Sequence, residues 1–164
     1  MKIGIVGAGG GARGIHIPAL QLCPEVEIAA VADCDTTAAI EGIPFTTNYE
    51  DLLARDDVTA IVNATPNHLH REVTLAAIQA GKHVLCEKPL GLTFGETVEM
   101  LRAAESAGAI HMTAFTYRYT PAVQYVKSLV EDGALGEIRS LRAAYLMALS
   151  GHLSGWRSER RLAG

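Results

Sequence analysis

The sequence predicts an α/β fold, a doubly wound parallel sheet followed by the beginning of a second α+β domain. Three observations carry this prediction. Short runs rich in Val, Ile and Ala alternate with stretches of helical periodicity. The first run, Lys2–Val6, passes into a glycine-rich turn and then a helix. The second, Glu27–Ala32, ends on an acidic residue, Asp33.

Taken in order, Lys2–Val6 is expected as a buried strand, because a continuous apolar run suits a strand covered on both faces. A helix follows from Ala12 to Leu22, then a strand at Glu27–Ala32. Ile43–Thr46 is a short third strand with a weak helix after Asn48, and Ala60–Ala64 is a fourth strand. From His68 to Ala80, residues Leu69, Val73, Ala76, Ala77 and Ala80 share one helical face, with Asn67 placed to cap the start and Gly81 the end. Val84–Cys86 is the fifth strand. Thr93 and Glu96 have capping-box spacing for a helix that turns Phe94, Val98 and Leu101 inward and stops at Gly108. Ile110–Phe115 is the sixth strand.

The remainder differs in character. Thr120 and Pro121 open a helix with Val123, Val126, Leu129 and Val130 on its inner face and Gly133 at its exit. Ile138–Leu149 is expected as one long strand, and the stretch from Ser150 to Gly164 is polar. Residues 1–119 are therefore read as one domain and 120–164 as the start of another. A single helix and strand cannot bury their apolar faces alone. They are expected to dock on further residues or another chain, and the open strand edges invite self-association.

Composition narrows the function classes. Of 164 residues 49% are apolar and 20% charged, an ordinary globular balance. A net charge of −4 supplies no attraction for nucleic acid or an anionic membrane, and neither is expected as a partner. The uncharged apolar runs are too short to span a bilayer, and the N-terminus does not read as a signal peptide. Cys23, Cys34 and Cys86 are odd in number and widely spaced, which points to reduced thiols in a cytoplasm.

The chemistry-bearing residues cluster where such a fold places them. Gly7-Ala8-Gly9-Gly10-Gly11-Ala12 fits G-x-G-x-x-G/A between a strand and a helix, the arrangement of a dinucleotide-binding Rossmann fold. Gly7 permits the tight turn, Gly9 lets the backbone approach a pyrophosphate, Gly10 and Gly11 complete the loop, and Ala12 keeps the helix close to the strand. The helix N-terminus offers amides and partial positive charge to phosphates. Asp33 stands where a carboxylate accepts bonds from the adenosine ribose and repels a 2′-phosphate. NAD is therefore the expected cofactor, with NADP possible because Arg13 sits in the phosphate loop; Asp35 reads as a turn or cap residue. Ligands of open α/β sheets meet the carboxyl ends of the strands. The fourth strand runs into Thr65-Pro66-Asn67-His68-Leu69-His70 and the fifth into Glu87-Lys88-Pro89, which places Lys88 near a nicotinamide as a candidate for proton transfer. No metal site is expected, because His68 and His70 point apart and no carboxylate or thiol joins them. His16, His83 and His111 read as packed or capping residues, and Asp56-Asp57 as a solvated turn.

The run Glu87-Lys88-Pro89, with Ala64-Thr65-Pro66-Asn67-His68-Leu69-His70 and Ala80-Gly81-Lys82-His83-Val84-Leu85-Cys86, resembles the Gfo/Idh/MocA family of oxidoreductases. So do Glu50-Asp51-Leu52-Leu53 and Gly133-Ala134-Leu135-Gly136-Glu137-Ile138. The resemblance implies hydride transfer between a nicotinamide and a secondary alcohol of a sugar, inositol or related polyol, in a homo-oligomer. It implies that Lys88 assists proton transfer, that Glu87 lies near the nicotinamide ribose, and that Thr65, Pro66, Asn67 and His70 line the cofactor. It also implies roles for the pairs Tyr117-Arg118 and Trp156-Arg157. Members continue past a segment like Leu162-Ala163-Gly164 into a strand bearing an Asp and a His of the catalytic set. His152 does not match that motif, so this chain is expected to be truncated and to bind cofactor better than it turns over substrate. Three other readings stay open: a non-catalytic dinucleotide-binding or interaction protein, an S-adenosylmethionine-dependent methyltransferase, for which Glu-Lys-Pro has no use, and an NAD-dependent glycoside hydrolase.

Overall fold

Six parallel strands pair in the order β3-β2-β1-β4-β5-β6 in a computed structural model that describes residues 1–146, 158, 159 and 162. The strands are β1 (Lys2–Val6), β2 (Glu27–Ala32), β3 (Phe45–Thr46), β4 (Ala60–Asn63), β5 (His83–Cys86) and β6 (His111–Thr113). The order reverses direction between β1 and β4, so a doubly wound sheet opens a crevice there, beyond the carboxyl ends of the strands. Chain contacts separate Met1–Ala114 from a second unit that begins at Phe115.

β1, β2 and β4 form the centre of the sheet, and their interiors are buried on both faces as their apolar runs demand. The helices are α1 (Ile17–Gln21), α2 (Tyr49–Leu53), α3 (His70–Gln79) and α4 (Phe94–Ala107), with α5 (Pro121–Glu131) in the second unit. The expected helix from Ala12 is present, but its first turn, Ala12–His16, is wound wider, closing with the Ile17 amide on the Ala12 carbonyl. Asn48 caps α2 by accepting from the Glu50 amide. Thr93 caps α4 by accepting from the Glu96 amide, while the Glu96 carboxylate takes the Leu92 amide rather than that of Thr93. The two halves of the capping box therefore serve two neighbouring backbone groups.

Several expectations are corrected. The buried face of α3 is His70, Val73, Thr74, Ala77 and Ile78, leaving Ala80 exposed; apolar periodicity overlooked His70 and Thr74, which are drawn inward by hydrogen bonds. Asn67 lies inside a short turn before α3 (Asn67–Leu69) and does not cap the helix. α4 buries Met100 and Ala104, whereas Phe94 is 83% exposed and Leu101 42%. With Val98 and Met112 they line an apolar depression of about 340 Å³ beside the edge strand β6. In the second unit α5 buries none of its residues, because no layer among that unit's described residues covers its apolar face. Residues 138–146 carry no strand, since no partner strand among the described residues completes their hydrogen bonds; 147–149 lie outside the described residues.

Cys86 closes β5 in the core, and burial pushes its thiol up from 9.0 to about 12. Cys23 and Cys34 are exposed. A thiol-reactive dye at pH 8 is therefore expected to label those two in the native chain and Cys86 only after unfolding. The sign of the linkage follows from the raised value. The stabilising contribution of the protonated Cys86 is complete below pH 9 and is lost as pH rises from 9 toward 12, because the unfolded thiol ionises first. Equal labelling of all three thiols in the folded chain would contradict the buried placement.

Candidate functional site

Sheet register sets the site. Val6 stands beside Ala32 in β2 and Asn63 in β4, and Asn63 stands beside Cys86 in β5. The ladder then extends one step further: Gly7 N–H donates to Ala32 O (2.8 Å), Ala64 N–H to Val6 O (2.8 Å) and Glu87 N–H to Asn63 O (2.9 Å). Gly7, Asp33, Ala64 and Glu87 thus leave the sheet at one level, and the turns that follow them border one crevice. Gly7 is the closest point of that arrangement. Its φ is +92°, and a Cβ there would lie 2.6 Å from the carbonyl carbon and oxygen of Ala64 and 2.7 Å from the Thr65 nitrogen. Only glycine fits between the two central turns.

The loop beyond Gly7 opens outward. A Cβ on Gly9, Gly10 or Gly11 would meet nothing within 4 Å, so these residues border unfilled space. Arg13 N–H donates to Gly9 O (3.0 Å), and the amides of Gly10, Gly11 and Ala12, which precede it at the helix start, are available to an anion. Buried Ala12 holds the helix against β1. Next to the loop, Ala8, Gly9, Gly10, Asp33, Thr37 and Ala38 border an open hollow of about 400 Å³. Asp33 accepts from the Ala8 amide through Oδ2 (2.7 Å) and from the Asp35 amide through Oδ1 (2.9 Å). A carboxylate offers about four lone-pair sites, so acceptor capacity remains for ribose hydroxyls. Arg13 donates from Nε to Ala8 O (2.9 Å) and from Nη2 to Ala38 O (2.6 Å), pinning the loop after β2 to the glycine turn. Asp35 caps a short turn as expected, and its bonds from the Thr37 hydroxyl and amide hold its carboxyl below the usual range. An open glycine cradle, a helix start and a carboxylate at the second strand's tip fit a dinucleotide.

The other wall is built on Asn63, a fully buried polar residue at the end of β4. Its Oδ1 accepts from the Thr65 hydroxyl (2.7 Å), and its Nδ2 donates to His70 O (3.0 Å) and Thr74 Oγ1 (3.1 Å). Thr65 and Pro66 are half-buried at the rim and Asn67 is buried. His70 is only 1% exposed, with its ring nitrogens 2.7 Å from Pro89 O and 2.9 Å from Thr65 O. It joins the turn after β4 to the turn after β5 from behind. Lys88 is exposed, and its ammonium makes no hydrogen bond or ion pair with the described residues. The Glu87 carboxylate takes its own Lys88 amide (2.9 Å) and the His16 Nε2 (2.8 Å).

The expected site residues of the first unit therefore gather at one edge of the sheet, joined there by two residues that the sequence reading does not place in the site, His16 and Asn63. His16 reads as a packed residue from sequence, yet it stands on the face of Ala12 and reaches Glu87. Asn63 carries a signal that was available: a lone polar residue closing the run Ala60-Ile61-Val62, two positions before Thr65. His83 accepts from the Ile110 amide, as a packed residue would, whereas His111 is exposed on the edge strand. Asp57 is bound by Arg55 and Lys2, so that turn is an ion-pair cluster. Tyr117 and Arg118 belong to the second unit, where the Tyr117 hydroxyl bonds that of Tyr145 (3.0 Å) with the rings edge to face. Trp156, Arg157 and His152 lie outside the described residues.

Comparison with known proteins gives concordant results. The model of the Gfo/Idh/MocA family, described as an oxidoreductase family with an NAD-binding Rossmann fold, matches residues 1–115. Levoglucosan dehydrogenase of Pseudarthrobacter phenanthrenivorans is 41% identical over 122 residues, 73% of this chain and 31% of that protein. A 3-ketoreductase from Actinomadura kijaniata, solved in complex with NADP and TDP-benzene, superposes with a TM-score of 0.77 at 32% identity, covering 85% of this chain and 44% of that one. The myo-inositol 2-dehydrogenase of Lactobacillus plantarum gives a TM-score of 0.77 at 30% identity, over 84% of this chain and 43% of its own. The chain spans less than half the length of each of these three proteins.

Proposed function

The chain belongs to the Gfo/Idh/MocA oxidoreductase family, and on that premise we propose that it is the cofactor-binding part of an enzyme that moves hydride between NAD(P) and a secondary alcohol of a sugar, inositol or related polyol. The observation that carries this is the Gly7–Ala12 turn at the crossover between β1 and β4, with the Asp33 carboxylate on the Ala8 amide. Residues 1–119 serve as the dinucleotide-binding domain and 120–164 begin the domain for substrate and dimerisation. The assembled enzyme is a cytoplasmic homo-oligomer. Among the described residues no helix is long and apolar enough to cross a membrane.

A bound nicotinamide supplies the carbon that accepts or donates hydride. The chain's own residues bind and orient. Backbone amides of Gly9, Gly10, Gly11 and Ala12 hold the pyrophosphate, with Gly7 making the turn. Asp33 accepts from the adenosine ribose hydroxyls. Thr65, Pro66 and Asn67 line the nicotinamide side, and His70 and Glu87 hold that side in place. Lys88, exposed beyond the fifth strand, moves the proton of the substrate hydroxyl.

Titration with NADH and NADPH, followed by fluorescence, tests the cofactor assignment. NADH should bind at least about tenfold more tightly than NADPH, because Asp33 repels a 2′-phosphate. Asp33→Ala should weaken NADH and narrow that gap. Tight NADPH binding with no NADH binding would overturn the role given to Asp33.

A further inference from the structure

The carboxylate of Glu87 is committed before any ligand arrives. One oxygen takes the amide of Lys88, the residue beside it, and the other lies 2.8 Å from His16 Nε2. An ionised carboxylate can only accept, so Nε2 carries the hydrogen whether or not the ring is charged. The contact is shielded: His16 is 6% exposed and the Glu87 side chain 18%. Charge-assisted bonds of this kind are stronger than neutral ones and gain further out of water.

The pair spans 71 positions in sequence and joins two parts of the crevice with different tasks. His16 closes the widened turn that begins at Ala12, directly after the glycine loop. A single wide turn re-aims the side chains around it and is frequent at functional positions. Glu87 begins the turn that presents Lys88, and its amide is held by Asn63 O. The adenosine side is built separately, from Asp33, Arg13 and the loop after β2.

We propose that His16 is a positioning residue for the Lys88 turn: through Glu87 it sets the nicotinamide half of the dinucleotide site and leaves the adenosine half untouched. The proposal rests on the dinucleotide-binding reading above. Removing the imidazole should free the Glu87 carboxylate to turn, and the Lys88 backbone with it.

The test compares NADH with ADP, which lacks both the nicotinamide and its ribose, by calorimetry on the whole chain. His16→Ala should weaken NADH about tenfold, the scale of one charge-assisted bond, and change ADP by less than about twofold. His16→Gln, whose amide nitrogen reaches the place of Nε2, should restore NADH to within about threefold, whereas His16→Asn stops short and should behave like alanine. Equal weakening of both ligands would make His16 a support of the whole loop and overturn the proposal, as would unchanged NADH binding in His16→Ala and His16→Asn. If the unaltered chain bound neither ligand, the dinucleotide-binding reading itself would fall, and this proposal with it.

Discussion

Replacing Lys88 by alanine should lower turnover by about 10²–10⁴-fold, the usual range for loss of a positioned proton-transfer group. NADH affinity should change by less than about threefold, because the phosphates and the adenosine ribose supply most of the binding contacts. The measurement belongs in a form joined to a complete substrate domain, since the chain covers less than half of the relatives compared with it. Lys88 has an exposed ammonium free of other described partners, so its removal costs no internal contact and little stability. A rate loss would therefore report chemistry rather than unfolding. Turnover within about twofold of the unaltered enzyme would remove Lys88 from the mechanism, whereas no turnover in the unaltered joined form would favour a non-catalytic dinucleotide-binding role.

Gly7→Ala should be the most damaging single change to the fold of the first unit. The left-handed backbone at position 7 disfavours any side chain, and the new Cβ would meet main-chain atoms of Ala64 and Thr65 at 2.6–2.7 Å. Those atoms cannot yield easily, because Ala64 N–H is bonded to Val6 O and Thr65 to Asn63. A loss of about 3 kcal/mol or more is expected from strain and displaced backbone together. Gly9→Ala provides the contrast. Its Cβ would meet nothing within 4 Å and its φ is not positive, so stability should stay within about 0.5 kcal/mol. NADH binding should nevertheless weaken about tenfold or more, since the methyl takes the space the pyrophosphate needs. Urea denaturation and NADH titration of both variants separate the two effects. Equal stability of Gly7→Ala and Gly9→Ala would contradict the close approach between the first and fourth strands.

The two glycines also show what the sequence could convey. Strands β1, β2, β4 and β5 are legible because buried parallel strands are continuous apolar runs, and the glycine turn because its spacing is rigid. The partners of His16 and Asp33 are a different matter: they lie 71 and 25 positions away, and pairing at that distance depends on strand order. The inward face of α3 escapes apolar periodicity for a related reason. Its apolar periodicity is real, but Asn63 draws Thr74 inward by a hydrogen bond that hydrophobicity does not encode. In α4, two apolar stripes compete, and the position of α3 and the sheet selects Met100 and Ala104 over Phe94 and Leu101. The strand expected from Ile138 needed a neighbour as well as β-type residues, and its described part has none.

Amide resonances of the chain, followed in a ¹H–¹⁵N spectrum while NADH is added, test the dinucleotide site most directly. Saturable shifts should appear at Gly9, Gly10, Gly11 and Ala12, at Asp33, and at the turns holding Thr65 and Lys88. Binding that leaves the glycine loop and Asp33 unshifted, or no binding at all, would contradict it.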